Sequence, residues 1–229
     1  LVMGKRFSMS EADHTIVTDA VGRAEAKTDA EIVTIVARRS DAYHDVGLHW
    51  AILCTFLVAG IAAAFPRFYE GLVIWLMGGW VHEVPVQTLL LVLLAHMLLT
   101  FLAVRYLLAI PALRMALTPR ATKARRVRRR ALELFRTTAE SRTRNLTGLL
   151  IYLSLDEHRA DIVADEAIAS KVTPDVWGDA MEALIDEARQ GRIAQGMALA
   201  IDKAGIVLAE HCPRNAVNPN ELPDRLIEL

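Results

Sequence analysis

The side chains best suited to chemistry are five carboxylates between positions 156 and 166: Asp156, Glu157, Asp161, Asp165 and Glu166. Hard oxygen donors in that number suit Ca or Mg, which require several oxygens converging on one point. Asp165 and Glu166 are adjacent and stand as the candidate metal ligands. Spacing works against a larger set. A strand running through Asp165 puts Asp161 and Asp165 on one face, but ~13 Å apart with Val163 between them. The turn carboxylates Asp156 and Glu157 are expected on a solvated edge. No phosphate-binding loop, dinucleotide fingerprint, HExxH, GxSxG or paired CxxC occurs, so the pattern assigns no catalytic residue.

The remaining reactive types are isolated. His158 and His211 have no sequence-adjacent partner, which suits surface or helix-end positions. His96 lies inside an apolar run, where a polar side chain tends to face another helix. Cys54 also lies in an apolar run and Cys212 near the C-terminus, so neither a disulfide framework nor a zinc site is implied. Trp177 and Met181 read as core residues of a helix rather than a ligand cage.

The elements that must hold these residues divide the chain in three. The hydrophobic fraction of 53% is high for a soluble protein, and the excess is concentrated between positions 48 and 118. Leu48–Phe65 has no charged residue and is long enough to cross ~30 Å of hydrocarbon. Val86–Ile110 contains only His96 and Arg105, the latter placed to snorkel toward headgroups. Between them Gly71–Val81, with Trp75 and Trp80, is too short to span and reads as an interfacial or re-entrant helix. The Gly60–Ala64 run of small residues suits close helix packing within the hairpin or between copies.

Net charge is −1, but the chain is polarised. Arg120, Lys123, Arg125, Arg126, Arg128, Arg129 and Arg130 follow the second span, whereas the connector between spans holds only Arg67. The positive-inside rule places the segment after the second span in the cytoplasm. These seven residues are expected to contact anionic lipid headgroups. No base-stacking aromatics accompany them, so nucleic acid is not expected as a partner. No apolar stretch follows the basic N-terminal residues Lys5 and Arg6, so the N-terminus is expected to stay cytoplasmic.

Outside the spans the periodicities describe one α/β domain in two pieces. Glu11–Lys27 has one-sided apolar spacing behind a Ser10 cap, and Glu31–Ala37 is a β-branched buried strand. After the basic helix Ala124–Arg144 come strands Thr147–Leu155 and His158–Ala164, joined tightly enough to form an antiparallel hairpin. A helix starts at Thr173–Pro174 and ends before Gly191; another covers Ile193–His211. The tail to Leu229 is expected to end in a short helix. The expected fold is α/β: a small layered domain, residues 8–45 and 119–229, interrupted by a two-helix transmembrane hairpin at 46–118.

The segments TDAEIVTIVARRSD, NLTGLLIYLSLDEHRADIVADEAI and WGDAMEALIDEARQGRIAQGMALAIDKAGIVLAEHCP resemble the TPM domain family, named for a thylakoid-lumen protein, a photosystem II repair protein and a nematode receptor modulator. The likeness is to the bacterial membrane subgroup whose domain is interrupted by a transmembrane hairpin, and Arg189–Gly191 with Gly196 is its most family-like part. The resemblance implies acid phosphatase activity, calcium binding, or non-enzymatic help in assembling or repairing membrane complexes. Where typical members carry a glycine-rich stretch after the second hairpin strand, this chain has Ala164–Asp165–Glu166–Ala167–Ile168. Glycines let backbone approach a phosphate or wrap a metal. The expectation is therefore an interaction or quality-control factor in the cytoplasmic membrane, both termini cytoplasmic, with a membrane-protein partner or a second copy of itself. A divalent-metal-dependent acid phosphatase is the alternative.

Overall fold

Ser10 opens the first helix with a capping box: its hydroxyl accepts from the Asp13 amide while the Asp13 carboxylate accepts from the Ser10 amide. The computed structural model describes residues 8–80, 83–138, 147–214 and 225–229. Two units are present, Leu1–Asp41 with Arg120–Leu229, and Ala42–Pro119.

In the first unit helix α1 (Glu11–Glu25) leads into strand β1 (Glu31–Ala37), which is buried along its whole length. The chain returns after the second unit as helix α6 (Arg120–Thr138) and the strand pair β2 (Gly148–Ser154) and β3 (Arg159–Ala164). A short helix α7 (Glu166–Ala169), a 3-10 turn (Pro174–Trp177) and helices α8 (Gly178–Arg189) and α9 (Ile193–His211) follow. β1 pairs in parallel with β2 from Glu31↔Gly148 to Ala37↔Ser154, and β2 pairs antiparallel with β3. The expected tail helix is not what Ile227–Glu228 forms. These residues are strand β4, parallel to β1, giving the order β3-β2-β1-β4. The reason is the bare edge of β1. Leu229 donates to the Val36 carbonyl and accepts from the Arg38 amide, both at 3.0 Å, satisfying backbone groups a helix would leave unpaired. The tail residues before Arg225 lie outside the described residues, as does the end of the expected helix Ala124–Arg144.

Strand alternation builds three layers. Ile32, Val36, Leu149, Ile151 and Leu153 face α1, α8 and α9, whose buried residues include Val21, Leu184, Met197 and Ile201. Val33, Ile35, Leu150, Tyr152 and Val163 face Val127, Ala131 and Phe135 of α6. The α8–α9 elbow turns at Gly191, with φ +80°. Gly196 lies against α8 so closely that a Cβ there would stand 2.8 Å from the Glu187 Cβ and 3.0 Å from the Leu184 carbonyl oxygen.

The second unit holds α2 (His44–Ala64), α3 (Pro66–Leu76), α4 (Val86–Leu107) and α5 (Pro111–Ala116). α2 and α4 are long and apolar enough to cross a membrane, with mean hydropathy 2.0 and 2.2, and no residue of α4 is buried. The expected interfacial helix at 71–81 is displaced. Helix α3 begins at Pro66, whose fixed φ suits a first helical turn, and stops at Leu76. Gly78 and Gly79, at φ +89° and +77°, form the turn beyond, and Val81 lies outside the described residues. Tyr69 and Val73 of α3 are buried against Ala62, Leu89 and Val92. His96 stacks on Tyr69, centroids 6.2 Å apart and planes within 8°, so its polar ring does find another helix. Arg114 of α5 is buried, donating to His44 Nδ1 at 3.2 Å and the Leu108 carbonyl at 3.4 Å.

Candidate functional site

Parallel β-strands direct their C-terminal ends toward the region where α/β folds place their sites. In this sheet β1 and β2 end at Ala37 and Ser154, and polar residues gather there. Tyr152 and Ser154 point inward from a strand otherwise made of apolar residues, and neither is exposed. Ser40, three residues past β1, brings its hydroxyl to 3.0 Å from the Tyr152 hydroxyl and donates to Ser154 Oγ at 2.9 Å. Ser154 in turn donates to Glu157, whose other carboxylate oxygen accepts the Ser40 amide at 3.0 Å. Arg39 reaches Asp156 with Nε at 2.9 Å and Nη2 at 2.7 Å. Asp41 is paired with Arg126 of α6.

Burial pushes the Tyr152 phenol above its ordinary value; the neighbouring Glu157 carboxylate adds to this, and the hydroxyls of Ser40 and Ser154 oppose it. The phenol is therefore a neutral hydrogen-bonding group at neutral pH. Ser154 and Glu157 have the reach of a nucleophile and its base. Yet Ser154 has no accessible surface, and its hydroxyl is already placed between Ser40 and Glu157. The arrangement ties the segment Arg39–Asp41 to the β2–β3 turn. Beside that turn is a cleft of about 200 Å³ lined mainly by Leu153, Leu155, Ile185, Ala188 and Ile193, with His158 at its edge.

The five carboxylates between 156 and 166 take separate surroundings. Glu157, expected on a solvated edge, is only 6% exposed and belongs to the network just described. β3 stops at Ala164, so Asp165 is not a strand residue sharing a face with Asp161. It precedes α7, buried, and its carboxylate accepts the Gly148 amide at 3.0 Å. Glu166, beside it, is exposed. Asp161 faces α6 and is bound by Arg128 at 2.8 Å; burial raises its pKa above 3.8 while Arg128 pulls it down. Among the described residues no three His, Cys, Asp or Glu side chains converge as a metal site. Among the described residues the donor set around Asp165 and Glu166 falls short of what Ca or Mg takes, because no third carboxylate or imidazole joins the pair.

The basic run is divided along α6. Arg126 pairs with Asp41, Arg128 with Asp161 and the Ile162 carbonyl, and Arg129 and Arg130 with Glu133. Arg120, Lys123 and Arg125 have no carboxylate within ion-pairing distance among the described residues. Trp177 is buried in the core and Met181 packs against it, while His158 is exposed in a left-handed turn at φ 50°. Ser40, Tyr152 and Ser154 escaped sequence reasoning. The one signal was a Tyr and a Ser in a strand, GLLIYLS, that otherwise reads as fully apolar.

Residues 112–207 match the family model described as TPM domain. Among solved structures, the NMR structure of BA42 protein from the psychrophilic bacterium Bizionia argentinensis is similar, with TM-score 0.54 and 17% sequence identity. That likeness covers 100% of this chain and 99% of that one, and it concerns the fold. No curated protein matches the chain.

Proposed function

We propose that this chain, whose residues 112–207 match the TPM domain model, is a membrane-anchored interaction module that assists the assembly or quality control of a membrane complex without performing catalysis itself. The observation that carries this reading is the closed polar network at the C-terminal end of the sheet. Where an α/β enzyme presents reactive groups, Ser40, Tyr152, Ser154 and Glu157 bond to one another, and Arg39 and Asp41 are bound by Asp156 and Arg126. Such a network stabilises a surface rather than presenting a nucleophile.

The anchor is residues 42–119. The exposed apolar surface of α2 and α4, including Phe56, Leu57, Leu94 and Leu98, is the kind that lipid covers. β1 precedes this insertion and β2 follows it, and the two strands share a ladder along seven residues. Strands on opposite sides of a bilayer cannot pair, which supports an even number of crossings. The arginine-rich α6 supports a cytoplasmic domain in a bacterial inner membrane, with Glu83 on the far side.

The test uses single cysteines in a background lacking Cys54 and Cys212. A membrane-impermeant maleimide applied to intact cells should label Glu83→Cys and leave Ser8→Cys and Lys203→Cys unlabelled until the cells are opened. Labelling of Lys203→Cys in intact cells refutes the orientation. Crosslinking in native membranes should recover a reproducible membrane-protein partner. Hydrolysis of a phosphate monoester that requires Mg or Ca and is lost in Asp165→Ala/Glu166→Ala would replace this reading with the phosphatase one.

A further inference from the structure

The seven basic residues between Arg120 and Arg130 of α6 are not equivalent. Arg126, Arg128, Arg129 and Arg130 each have a protein partner: Asp41, Asp161 or Glu133. Before them, Arg120, Lys123 and Arg125 occupy the first six positions of the helix, ~9 Å of axis, with no carboxylate partner among the described residues. No acidic residue lies in that first turn. A helix N-terminus already carries partial positive charge, so three cations there repel the dipole and one another. The second block of the helix is balanced by carboxylates of the domain, and the first block has no counter-charge among the described residues.

The unbalanced block is also the one closest along the chain to the apolar unit. Thirteen positions separate Leu107, the end of α4, from Arg120, and the short α5 occupies part of that interval. This places the three cations within a chain length at which juxtamembrane basic residues meet the headgroup layer, where the potential of an anionic leaflet extends about one Debye length, ~8 Å. We infer that Arg120, Lys123 and Arg125 form a binding site for the phosphate groups of anionic phospholipids, whereas Arg126 and Arg128 tie α6 to Asp41 and Asp161, and Arg129 and Arg130 pair with Glu133 of their own helix. The inference rests on the membrane-anchored reading and sharpens it, since the basic run becomes a lipid site of three residues followed by four whose charges are met by carboxylates of the same domain.

The experiment compares the full chain with Arg120→Gln/Lys123→Gln/Arg125→Gln and with Arg128→Gln/Arg130→Gln. Each is purified in mild detergent and titrated with short-chain phosphatidylglycerol, phosphatidylcholine or inorganic phosphate, with bound lipid counted by native mass spectrometry. Juxtamembrane basic residues each contribute about fivefold to anionic-surface affinity. The wild type and the Arg128/Arg130 variant should therefore prefer phosphatidylglycerol, and the triple variant should lose at least tenfold of that preference. High salt should abolish the difference. An equal loss in the Arg128/Arg130 variant, retention in the triple variant, or binding of inorganic phosphate as tight as that of the lipid overturns the proposal. Carbonate extraction of membranes separates the two levels. A triple variant that stays in the pellet leaves the anchor intact while the lipid site fails or stands, whereas release of the wild type refutes the anchor itself.

Discussion

Two glycines at helical positions should respond to the same substitution in opposite directions. Gly22 lies in α1 with nothing within 4 Å of a built Cβ, whereas Gly196 lies in α9 with Glu187 Cβ at 2.8 Å and the Leu184 carbonyl oxygen at 3.0 Å. Ala is favoured over Gly in a helix interior by about 1 kcal/mol, so Gly22→Ala should stabilise the domain by about 0.5–1 kcal/mol. The same gain applies to Gly196→Ala, but the new methyl must find space between two helices. Carbon atoms pack at about 3.5–4.0 Å, so the overlap with Glu187 Cβ is about 0.7–1.2 Å. Neither the Cβ nor the carbonyl can swing aside, and Leu184 is fully buried. Overpacking of this kind costs about 1–3 kcal/mol, and contact with two unyielding atoms puts it in the upper part of that range. The net expectation is a loss of about 1–2 kcal/mol. Urea unfolding in detergent micelles, followed by fluorescence of the buried Trp177 with Trp50, Trp75 and Trp80 replaced by Phe, reads both variants. A Gly196→Ala protein as stable as Gly22→Ala would refute the close α8–α9 approach.

Other outcomes follow from the buried polar groups. Asp165→Ala leaves the buried Gly148 amide without its acceptor and should cost about 1–3 kcal/mol by the same unfolding assay; a neutral result would mean the carboxylate is free for another role. The folded-state pKa of Asp161 is raised above 3.8, so its contribution to stability is present below that value and lost as pH rises through the folded pKa. Asp161→Asn should thus gain on the wild type between acidic and neutral pH, and an unchanged difference in urea midpoint across that window contradicts the burial argument. Tyr152→Phe should cost about 0.5–1.5 kcal/mol for one hydrogen bond. It should also remove a tyrosine that ionises late in a spectrophotometric titration, because burial raises that phenol.

Local pattern determined a large part of this molecule. β1 lies where a run of β-branched and apolar residues, EIVTIVA, demands burial, and α9 runs from Ile193 to His211 because one apolar face persists between Gly191 and Pro213. The Ser10 capping box, the β2–β3 hairpin and the two long apolar helices were legible for the same reason: each depends on contacts between residues close in the chain. The resemblance to the TPM family could also be read from three segments of the first unit.

Tertiary structure decided what joins residues far apart. Ile227 and Glu228 become a strand because β1 offers open backbone groups, a fact about an edge that no window around residue 227 contains. Glu157 leaves the solvated turn because Ser40, 117 positions earlier, presents its amide there. Asp165 is drawn to the sheet by the amide of Gly148, 17 positions earlier. The seven basic residues from Arg120 to Arg130 form a uniform run in the sequence; the positions of Asp41, Asp161 and Glu133 set Arg126, Arg128, Arg129 and Arg130 apart from Arg120, Lys123 and Arg125, which have no carboxylate within ion-pairing distance among the described residues. Charge identity is local, but charge compensation is set by distance in space, and that distance exists only once the chain has folded.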